Sequence, residues 1–513
     1  MKKDLLMAID LGTSFIKAGV FDLSGNELTV TKEAVRSEQP GPGQFIQHGE
    51  DLMDAVEHCM KAAAETLKED AERIAVIGFT GQMAGFMGVD KDWNDVTGWS
   101  CSLDTRYVPY AEAQNACFSD DFYLISGTNS PLFSSKYEWF RNEFPEEAER
   151  IAKYVMISGY VIGKLGGLPI EDAVIDGSLI TWTGLADVKN RCFSKKLCDE
   201  LGMDMARLPK VMQSTDIAGV LSDNAAERTG LPAGIPLVCG AGDKIAGCVG
   251  AANLKPGDML FEAASFGAVS CMTETCTPDY DVRGYDMLNG SSEGSFAAHY
   301  YMPGSGITQE WFISRFVQKE GESLGEAYAR IDAEMETIPP GCEGLFAVGM
   351  LGGTVMPFNG DLRGVFMGHT WSHTPAHFYR AIVESFAFAL KTAIERMNAM
   401  YPQYQNRDHI RMIGGGANSP VSAQIFADVL GMPVETLART DTALWGACLL
   451  GAKGVGLIDD LEAYASDHIR VRNRYEPDPS GRAVYDALQE RYNRYIELLT
   501  PLCRELQKKT GEE

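Results

Sequence analysis

The first residues of the chain alternate between apolar and polar stretches in a pattern typical of a β-hairpin. Apolar residues fill positions Leu5 to Ile9, small polar residues occupy Gly12 to Ser14, and apolar residues recur at every second position from Ile16 to Val20. An apolar run, a turn and then a period of two predict a pair of adjacent strands. We therefore expect a hairpin with a polar tip.

After the first hairpin, apolar residues recur with the spacing of a helix. Residues Glu50 to Ala71 place apolar side chains at intervals of three and four, which predicts an amphipathic helix, and the apolar run Ile74 to Phe79 predicts a buried strand. At the other end of the chain, the charged segment Arg482 to Lys509 predicts a C-terminal helix packed on the surface. These signals indicate an α/β protein.

The second half of the chain repeats the pattern of strands, turns and helices predicted for the first. Residues Leu260 to Met272 again indicate strand, small-residue turn and strand, and a later strand leads through the glycine run Gly414 to Asn418 into a helix. Asn, Pro and Gly cluster between Ala252 and Gly257, as in a connection between domains. We predict two similar α/β domains, residues 1–252 and 253–513.

Length and charge narrow the class of protein. At 513 residues the chain is longer than one hydrophobic core usually serves, which favours two domains with a cleft between them. The net charge of -26 disfavours nucleic acid as a partner, because phosphate backbones bind clustered Lys and Arg. No apolar run is long enough for a membrane span or a signal peptide, and the 12 cysteines form no C-x-x-C pair. We expect a cytoplasmic protein with no membrane partner.

The polar tip of the first hairpin is a candidate phosphate-binding turn. The one Gly-Lys pair of the chain precedes leucine, so the sequence has no Walker-type loop. Gly12 lets backbone N–H groups approach an anion, and Thr13 and Ser14 add hydroxyl groups. Lys17 adds positive charge, and Asp10 can hold Mg²⁺ through water. A plain hairpin turn is the alternative interpretation.

Two other glycine-containing turns are candidates for the same ligand. The second hairpin turns at Ser265 to Gly267 and could clamp phosphate opposite the first. The run Gly414 to Asn418 stands between a strand and a helix, where a nucleobase or ribose can approach the backbone. Glycine-rich turns also serve close packing alone, so that alternative stays open.

Asp243 is the candidate general base. It lies in the sequence GAGDKIAG, at the end of an apolar strand, and its small neighbours leave room for a substrate. An aspartate in front of a helix is also a common N-cap, and this structural alternative stays open.

Three histidines, His369, His373 and His377, recur at every fourth residue, as metal ligands on one helical face would. Pro375 interrupts that face. Thr374 and Pro375 instead predict the N-cap and first turn of a new helix. We expect no metal site here.

Taken in order, these motifs resemble those of the FGGY carbohydrate kinases, which are part of the actin, heat-shock-chaperone and sugar-kinase superfamily. The resemblance runs from Leu5 to about Gly456, and its motifs are Gly81 to Gly85, Ser102 to Arg106, Ala241 to Asp243, Gly364 to Gly368, and His377 to Glu384. It implies an α/β fold of two ribonuclease-H-like domains flanking a catalytic cleft. The implied activity is transfer of phosphate from ATP to a sugar hydroxyl.

The resemblance also implies roles for individual residues. Asp243 and Asp10 would be the catalytic carboxylates, and both would lie at the Mg²⁺ site. The residues implied for the sugar are Gln82, Met83, Asp104 and Arg106. Those implied for ATP are Thr13, Ser14, Lys17, Ser265, Gly267, Gly306, Gly415, Gly416 and Asn418. The expected partners are ATP and a small sugar or polyol, and a homodimer stays open.

Departures from the family pattern bear on the substrate. The xylulose kinases, the branch nearest in general pattern, usually have histidine where Ala84 stands and tryptophan where Ser102 stands. The smaller side chains favour a different ketose or polyol over D-xylulose, within a range that includes ketopentoses such as ribulose.

Two other classes of function stay open. A catalytically silent sugar sensor would not need both Asp10 and Asp243. A chaperone-like ATPase gated by nucleotide would not need the segment Asp104 to Arg106 together with Asp243.

Overall fold

The computed structural model describes residues 2–129 and 132–507. The first half of the chain alternates strands and helices around one large sheet. Its elements are β1 (Leu5–Leu11), β2 (Phe15–Asp22), β3 (Glu27–Ala34), α1 (Gly49–Leu67), β4 (Ile74–Gly81), β5 (Gly85–Val89), β6 (Ser100–Cys101), α2 (Val108–Ser126), α3 (Leu132–Glu143), α4 (Pro145–Glu149), β7 (Lys153–Val155), α5 (Ile157–Gly166), β8 (Val174–Asp176), β9 (Ala186–Asp187), β10 (Cys192–Phe193), α6 (Lys195–Leu201), β11 (Lys210–Met212), β12 (Ile217–Val220), α7 (Asp223–Thr229), β13 (Pro236–Val238) and α8 (Asp243–Gly250).

The second half has the same alternation. Its elements are β14 (Met259–Glu262), β15 (Gly267–Thr273), β16 (Asp286–Asn289), β17 (Phe296–Met302), α9 (Ser305–Phe312), α10 (Leu324–Glu336), β18 (Phe346–Val348), β19 (Thr354–Val355), β20 (Phe358–Asn359), β21 (Val365–Met367), α11 (Pro375–Met400), β22 (Ile410–Ile413), α12 (Pro420–Leu430), β23 (Val434–Leu437), α13 (Thr442–Gly454), α14 (Leu461–His468), β24 (Val471–Tyr475) and α15 (Arg482–Gln507).

The two large sheets share one strand arrangement. In the first, with order β12-β13-β4-β1-β2-β3, the hairpin β1–β2 continues antiparallel to β3, and β4 and β13 add parallel to β1. In the second, with order β16-β17-β15-β14-β22-β23-β24, the hairpin β14–β15 continues to β17, and β22 and β23 add in parallel. The predicted repeat of a ribonuclease-H-like fold is confirmed, while the division at residue 252 stays a prediction.

Helices α8 and α13 join the two halves where their backbones cross. A Cβ atom added to Gly250 would lie 1.9 Å from the carbonyl oxygen of Thr442, and one added to Gly446 would lie 1.9 Å from that of Ala246. Only glycine permits this approach, because real Cβ contacts are never so short. Helix α13 also packs on β1 and β4. A helix from the second half therefore covers the sheet of the first.

Several local expectations can be compared with the structure. The helix predicted for residues 50–71 ends at Leu67, and a 3₁₀ turn continues to Arg73. Thr374 is the N-cap of α11, as predicted, and its N–H donates to Nδ1 of His377 at 3.1 Å. The C-terminal helix is described from Arg482 to Gln507, and the last two residues predicted for it lie outside the described residues. In the described ranges, no helix is both long and apolar enough to cross a membrane.

A buried carboxylate, Asp286, forms a second contact between the halves. Its Oδ2 accepts hydrogen bonds from Thr128 Oγ1 at 2.9 Å and from Trp182 Nε1 at 2.8 Å, and its Oδ1 accepts one from the Asn129 N–H at 3.1 Å. Burial nevertheless raises the pKa of Asp286 to about 6, although these three donors oppose the rise. The folded protein thus holds a proton on Asp286 more tightly than the unfolded chain does.

We expect Asp286→Asn to weaken the pH dependence of stability between about pH 4 and 6. Because the folded-state pKa is raised, the wild-type protein loses stability as pH rises through this window, by up to about 3 kcal/mol from this group. The variant lacks the titrating group. The melting temperature of the wild type minus that of the variant should fall as pH rises over this range. Asp281→Asn, at a side chain that is 79% exposed in the same half, is the control; parallel curves for wild type and Asp286→Asn would contradict the prediction.

Candidate active site

A cavity of about 450 Å³ lies between the two halves, at the hairpin β1–β2 and the start of α8. Its walls come from elements that are far apart in sequence, and they carry four carboxylates and two lysines. The lining residues are Asp10, Gly12, Thr13, Lys17, Gly81, Gln82, Asp243, Lys244, Gly247, Leu260, Glu262, Ala268, Ser270, Ile413, Gly414, Thr440, Asp441, Thr442 and Ala443. The carboxylates are in excess, so the cavity is suited to a ligand that brings positive charge.

Asp10 lies at the end of β1, beside a lysine on the paired strand. Lys17 Nζ is 3.6 Å from Asp10 Oδ2 and 2.5 Å from Asp441 Oδ2. Burial raises the pKa of Asp10 to about 7; Lys17 opposes the rise, and the charges of Asp441 and Asp243 add to it. Asp441 is also the N-cap of α13, so the arrangement ties the first hairpin to the helix that crosses between the halves.

Asp243 is the first residue of α8, and the N-cap is Gly242. The interpretation of Asp243 as an N-cap is therefore wrong. Its carboxylate lies 3.2 Å from Lys244 Nζ, which also donates to Glu262 Oε2 at 2.7 Å. Although 37% of the Asp243 side chain is open to the cleft, burial of the rest raises its pKa; Lys244 opposes the rise and Glu262 adds to it.

The loop before Asp243 contains glycines because its backbone lies very close to neighbouring residues. A Cβ atom on Gly240, which has a φ of 73°, would lie 1.8 Å from the carbonyl oxygen of Phe79 in β4. A Cβ atom on Gly242 would lie 2.4 Å from Cγ of Met83, and the Gly242 N–H donates to Ser178 Oγ at 3.0 Å. The loop can therefore lie against β4 and hold Asp243 at the cavity.

Of the residues implied for the sugar, Gln82 lines the cavity directly. Its Oε1 accepts a hydrogen bond from Trp99 Nε1 at 3.1 Å, whereas its Nε2 is buried and meets no acceptor among the described residues. An unpaired buried amide donor is costly, so this N–H group is available to a ligand. Met83 is buried against Gly242 and shapes the loop that carries Asp243.

Asp104 and Arg106 pair with each other outside the cavity lining. Arg106 Nε donates to Asp104 Oδ1 at 2.9 Å and Nη2 donates to Oδ2 at 2.6 Å, while the guanidinium stacks on Trp139 at 4.4 Å. Lys136 donates to Ser100 Oγ at 2.6 Å and to the Asp104 carbonyl at 2.9 Å, and burial lowers its pKa to about 7. The motif is thus rigid, and its contact with sugar stays a prediction.

The residues implied for ATP in the second half meet at one hairpin turn. The Gly306 N–H donates to the carbonyl of Ala264 at 3.0 Å, beside Ser265 and Gly267, and the Gly416 N–H donates to that of Ala263 at 2.8 Å. A Cβ atom on Gly415 would meet nothing within 4 Å. Gly415 therefore faces open space, as a nucleotide site requires, whereas Gly414 and Gly416 pack closely against Ala263. Asn418 Oδ1 accepts a hydrogen bond from Arg472 at 3.1 Å.

Three charged residues of the cavity were not among the predicted site residues: Lys244, Glu262 and Asp441. Lys244 directly follows Asp243, the predicted base. This position in the motif was the only sign in the sequence that Lys244 lies at the cavity. Asp441 is 424 residues from Lys17. No local pattern could have paired those two.

The donor chemistry of the cavity fits Mg²⁺. Asp10 and Asp243 offer carboxylate oxygens, the ligands that this hard cation prefers. In residues 2–129 and 132–507, no group of three or more His, Cys, Asp or Glu side chains is placed to hold a metal ion. The site therefore suits an ion that keeps water and phosphate oxygens in its coordination shell.

Known proteins share this architecture over almost the whole chain. The sequence matches the FGGY family of carbohydrate kinases, with the N-terminal domain at residues 5–250 and the C-terminal domain at residues 264–455. It is 26% identical to the xylulose kinase of Lactococcus lactis subsp. lactis (strain IL1403), over 94% of this chain and 95% of that protein. It is 27% identical to the gluconokinase of Bacillus subtilis (strain 168), over 94% of both proteins.

A solved structure shows the same fold. The xylulose kinase from Rhodospirillum rubrum superposes with a TM-score of 0.88 at 23% identity, over 97% of this chain and 99% of that chain. The chain therefore belongs to the FGGY family of carbohydrate kinases and is an ATP-dependent sugar kinase.

Proposed function

We propose that this kinase phosphorylates a hydroxyl of a small ketose or polyol by direct in-line transfer, with Asp243 as the general base. The observation that carries the proposal is the position of Asp243, which starts a helix at the cavity and is partly open to the cleft without serving as an N-cap. A base there can accept the proton of a hydroxyl group that attacks the γ-phosphorus of ATP.

The environment of Asp243 supports this role. Burial and the nearby Glu262 raise its pKa above that of an ordinary aspartate, which strengthens it as a proton acceptor. Lys244 opposes this rise and is itself held by Glu262. The contact with Lys244, the next residue of the helix, therefore holds the orientation of the base.

Phosphate would be held between the two hairpin turns. Thr13 and Ser14 on the first turn, and the segment Ser265 to Gly267 on the second, present hydroxyl and backbone N–H donors. Lys17 adds a positive charge 3.6 Å from Asp10. Asp10 and Asp243 would hold Mg²⁺, which neutralises charge on the transferred phosphoryl group when it is bound. Gly306, Gly415, Gly416 and Asn418 would contact adenosine.

Sugar specificity would arise at the wall formed by Gln82. Its unpaired Nε2 can donate to a sugar hydroxyl, while Met83, Asp104 and Arg106 complete the proposed sugar site. Relatives of this chain include proteins named xylulose kinase and gluconokinase, which differ in the substrates their names give. A ketopentose such as xylulose or ribulose, or a related ketose or polyol, fits the retained motifs. The small Ala84 and Ser102 favour a substrate other than D-xylulose.

We expect a coupled ADP-release screen over ketoses, aldoses, polyols and gluconate to show sugar-dependent turnover. The best kcat/KM should belong to a ketose or polyol other than D-xylulose, because Ala84 and Ser102 are smaller than the residues that xylulose kinases usually have there. The control is the same mixture without sugar, which measures background hydrolysis of ATP. A kcat/KM for D-xylulose well above that of every other substrate would contradict the specificity proposal. ADP release that does not depend on any added sugar would contradict the transfer proposal.

A further inference from the structure

A second cavity, of about 370 Å³, adjoins the active site and shares Thr440 and Asp441 with it. Three segments that are distant in sequence form it: the turn between β2 and β3, the approach to α13, and the end of α14. Gly250, at the crossing of α8 and α13, also lines it. The cavity therefore lies where the two halves of the kinase are joined.

One wall of this second cavity carries a firmly held arginine. The guanidinium of Arg439 lies 5.2 Å from the ring centre of Phe21 and 4.7 Å from that of Trp445. Its Nη2 donates to the carbonyl oxygen of Gly25 at 2.5 Å. Burial lowers the pKa of Arg439, and the positive charge of Arg470 adds to this effect. The guanidinium is therefore fixed in place beside a like charge.

Arg470 approaches from the neighbouring segment. Its carbonyl accepts a hydrogen bond from the Ala438 N–H at 2.8 Å, which holds the two arginine-bearing segments side by side. Within the described part of the chain, no carboxylate oxygen lies within 4.0 Å of a guanidinium nitrogen of Arg439 or Arg470. The chain has 71 acidic against 45 basic residues, so unpaired neighbouring arginines are not explained by a shortage of carboxylates.

The carboxylates of this second cavity, Glu27 and Asp441, act on Arg439 only from beyond ion-pair distance. Asp441 is paired with Lys17 at 2.5 Å, on the side of the active site. Glu27 lines the cavity but is exposed. Two like charges held close together in a concave site are stabilised when an anion binds between them. Guanidinium groups also match the geometry of phosphate oxygens, with which they form paired hydrogen bonds.

We propose that the second cavity is a regulatory site for a small anion that carries a phosphoryl group, bound between Arg439 and Arg470. The binding is coupled to catalysis through the segment that both cavities share. An anion that draws the two arginines together acts on residues 437–441, and Asp441 in that segment holds Lys17 beside Asp10. By linkage, ATP binding and anion binding then change each other's affinity.

Binding is tested by calorimetric titration with pyrophosphate at constant ionic strength and constant free Mg²⁺. Saturating MgADP is present, so that phosphate positions in the active site are filled. Wild-type kinase should bind, and Arg470→Gln should weaken binding by about tenfold or more, as expected for loss of a charged hydrogen bond. Arg470 is exposed, so this variant should fold normally. Arg315→Gln, an equivalent charge change at an exposed arginine elsewhere, should bind like wild type.

Coupling is tested with the same proteins in the kinase assay. Pyrophosphate should change the apparent KM for ATP by about fivefold or more in wild type and Arg315→Gln, reach a plateau, and have little effect in Arg470→Gln. A plateau distinguishes a separate site from simple competition, which has none. Absence of binding, equal binding by Arg470→Gln, or purely competitive inhibition would each overturn the site. Binding that leaves the kinetics unchanged would overturn the coupling.

Discussion

Replacing Asp243 by asparagine is expected to lower kcat by about 10²- to 10⁴-fold, the contribution of a positioned general base. The amide preserves the size of the side chain but cannot accept the proton of the sugar hydroxyl. The dissociation constants of sugar and ATP should change much less, because most binding contacts lie elsewhere. Single-turnover kinetics together with direct binding measurements will separate the two effects.

The structure supplies a matched control for this substitution. Asp223 is also the first residue of a helix, α7, but it is exposed and lies outside the cavity. Asp223→Asn makes the same change of charge at the same helical position and should leave kcat unchanged. In Asp243→Asn, Lys244 keeps its partner Glu262, so the fold should persist. A folded Asp243→Asn enzyme with near-normal turnover would refute the assignment of Asp243 as the base.

Asp10→Asn is expected to lower kcat by about 10²-fold at moderate Mg²⁺ concentration, through poorer placement of the cation. Raising the Mg²⁺ concentration should recover part of this loss, because an asparagine oxygen can still offer a weak ligand. Lys17 remains paired with Asp441, so the first hairpin should keep its shape. The measurement is kcat as a function of free Mg²⁺ for the wild-type enzyme and the variant.

The two carboxylate variants are controls for each other. Extra Mg²⁺ should not restore the main loss in Asp243→Asn, since more cation cannot supply the missing proton acceptor, even though Asp243 also belongs to the proposed Mg²⁺ site. If both variants respond equally to Mg²⁺, it is wrong to assign placement of the cation to Asp10 and acceptance of the proton to Asp243. If neither responds, Asp10 does not place the cation.

Local patterns in the sequence were sufficient to predict much of this fold. Alternation of apolar residues predicted both hairpins, and glycine runs marked the turns at Asp243 and Gly415. A single residue separates an N-cap from the first helical position, so sequence reasoning could not decide between the two roles of Asp243. The structure excludes the N-cap role, because Gly242 occupies that position, and the role of Asp243 as general base stays a prediction.

Local sequence patterns could not predict how the charged residues of the site are paired. Lys17 and Asp441 meet because α13 returns from the second half to the first sheet, and Lys244 reaches Glu262 because α8 lies beside the second hairpin. Such contacts depend on how whole elements pack. Composition and spacing within one segment carry no signal for them.

The return of α13 to the first sheet has a consequence during synthesis on the ribosome. Strands β1 and β4 emerge early, yet the helix that covers them begins at Thr442, about 190 residues after α8 ends. At about 5–20 residues per second, the gap lasts roughly 10–40 s. During that time the apolar face of the nascent sheet has no permanent cover. The N-terminal half should therefore complete its core only after α13 has been synthesised, and should depend on holding chaperones until then.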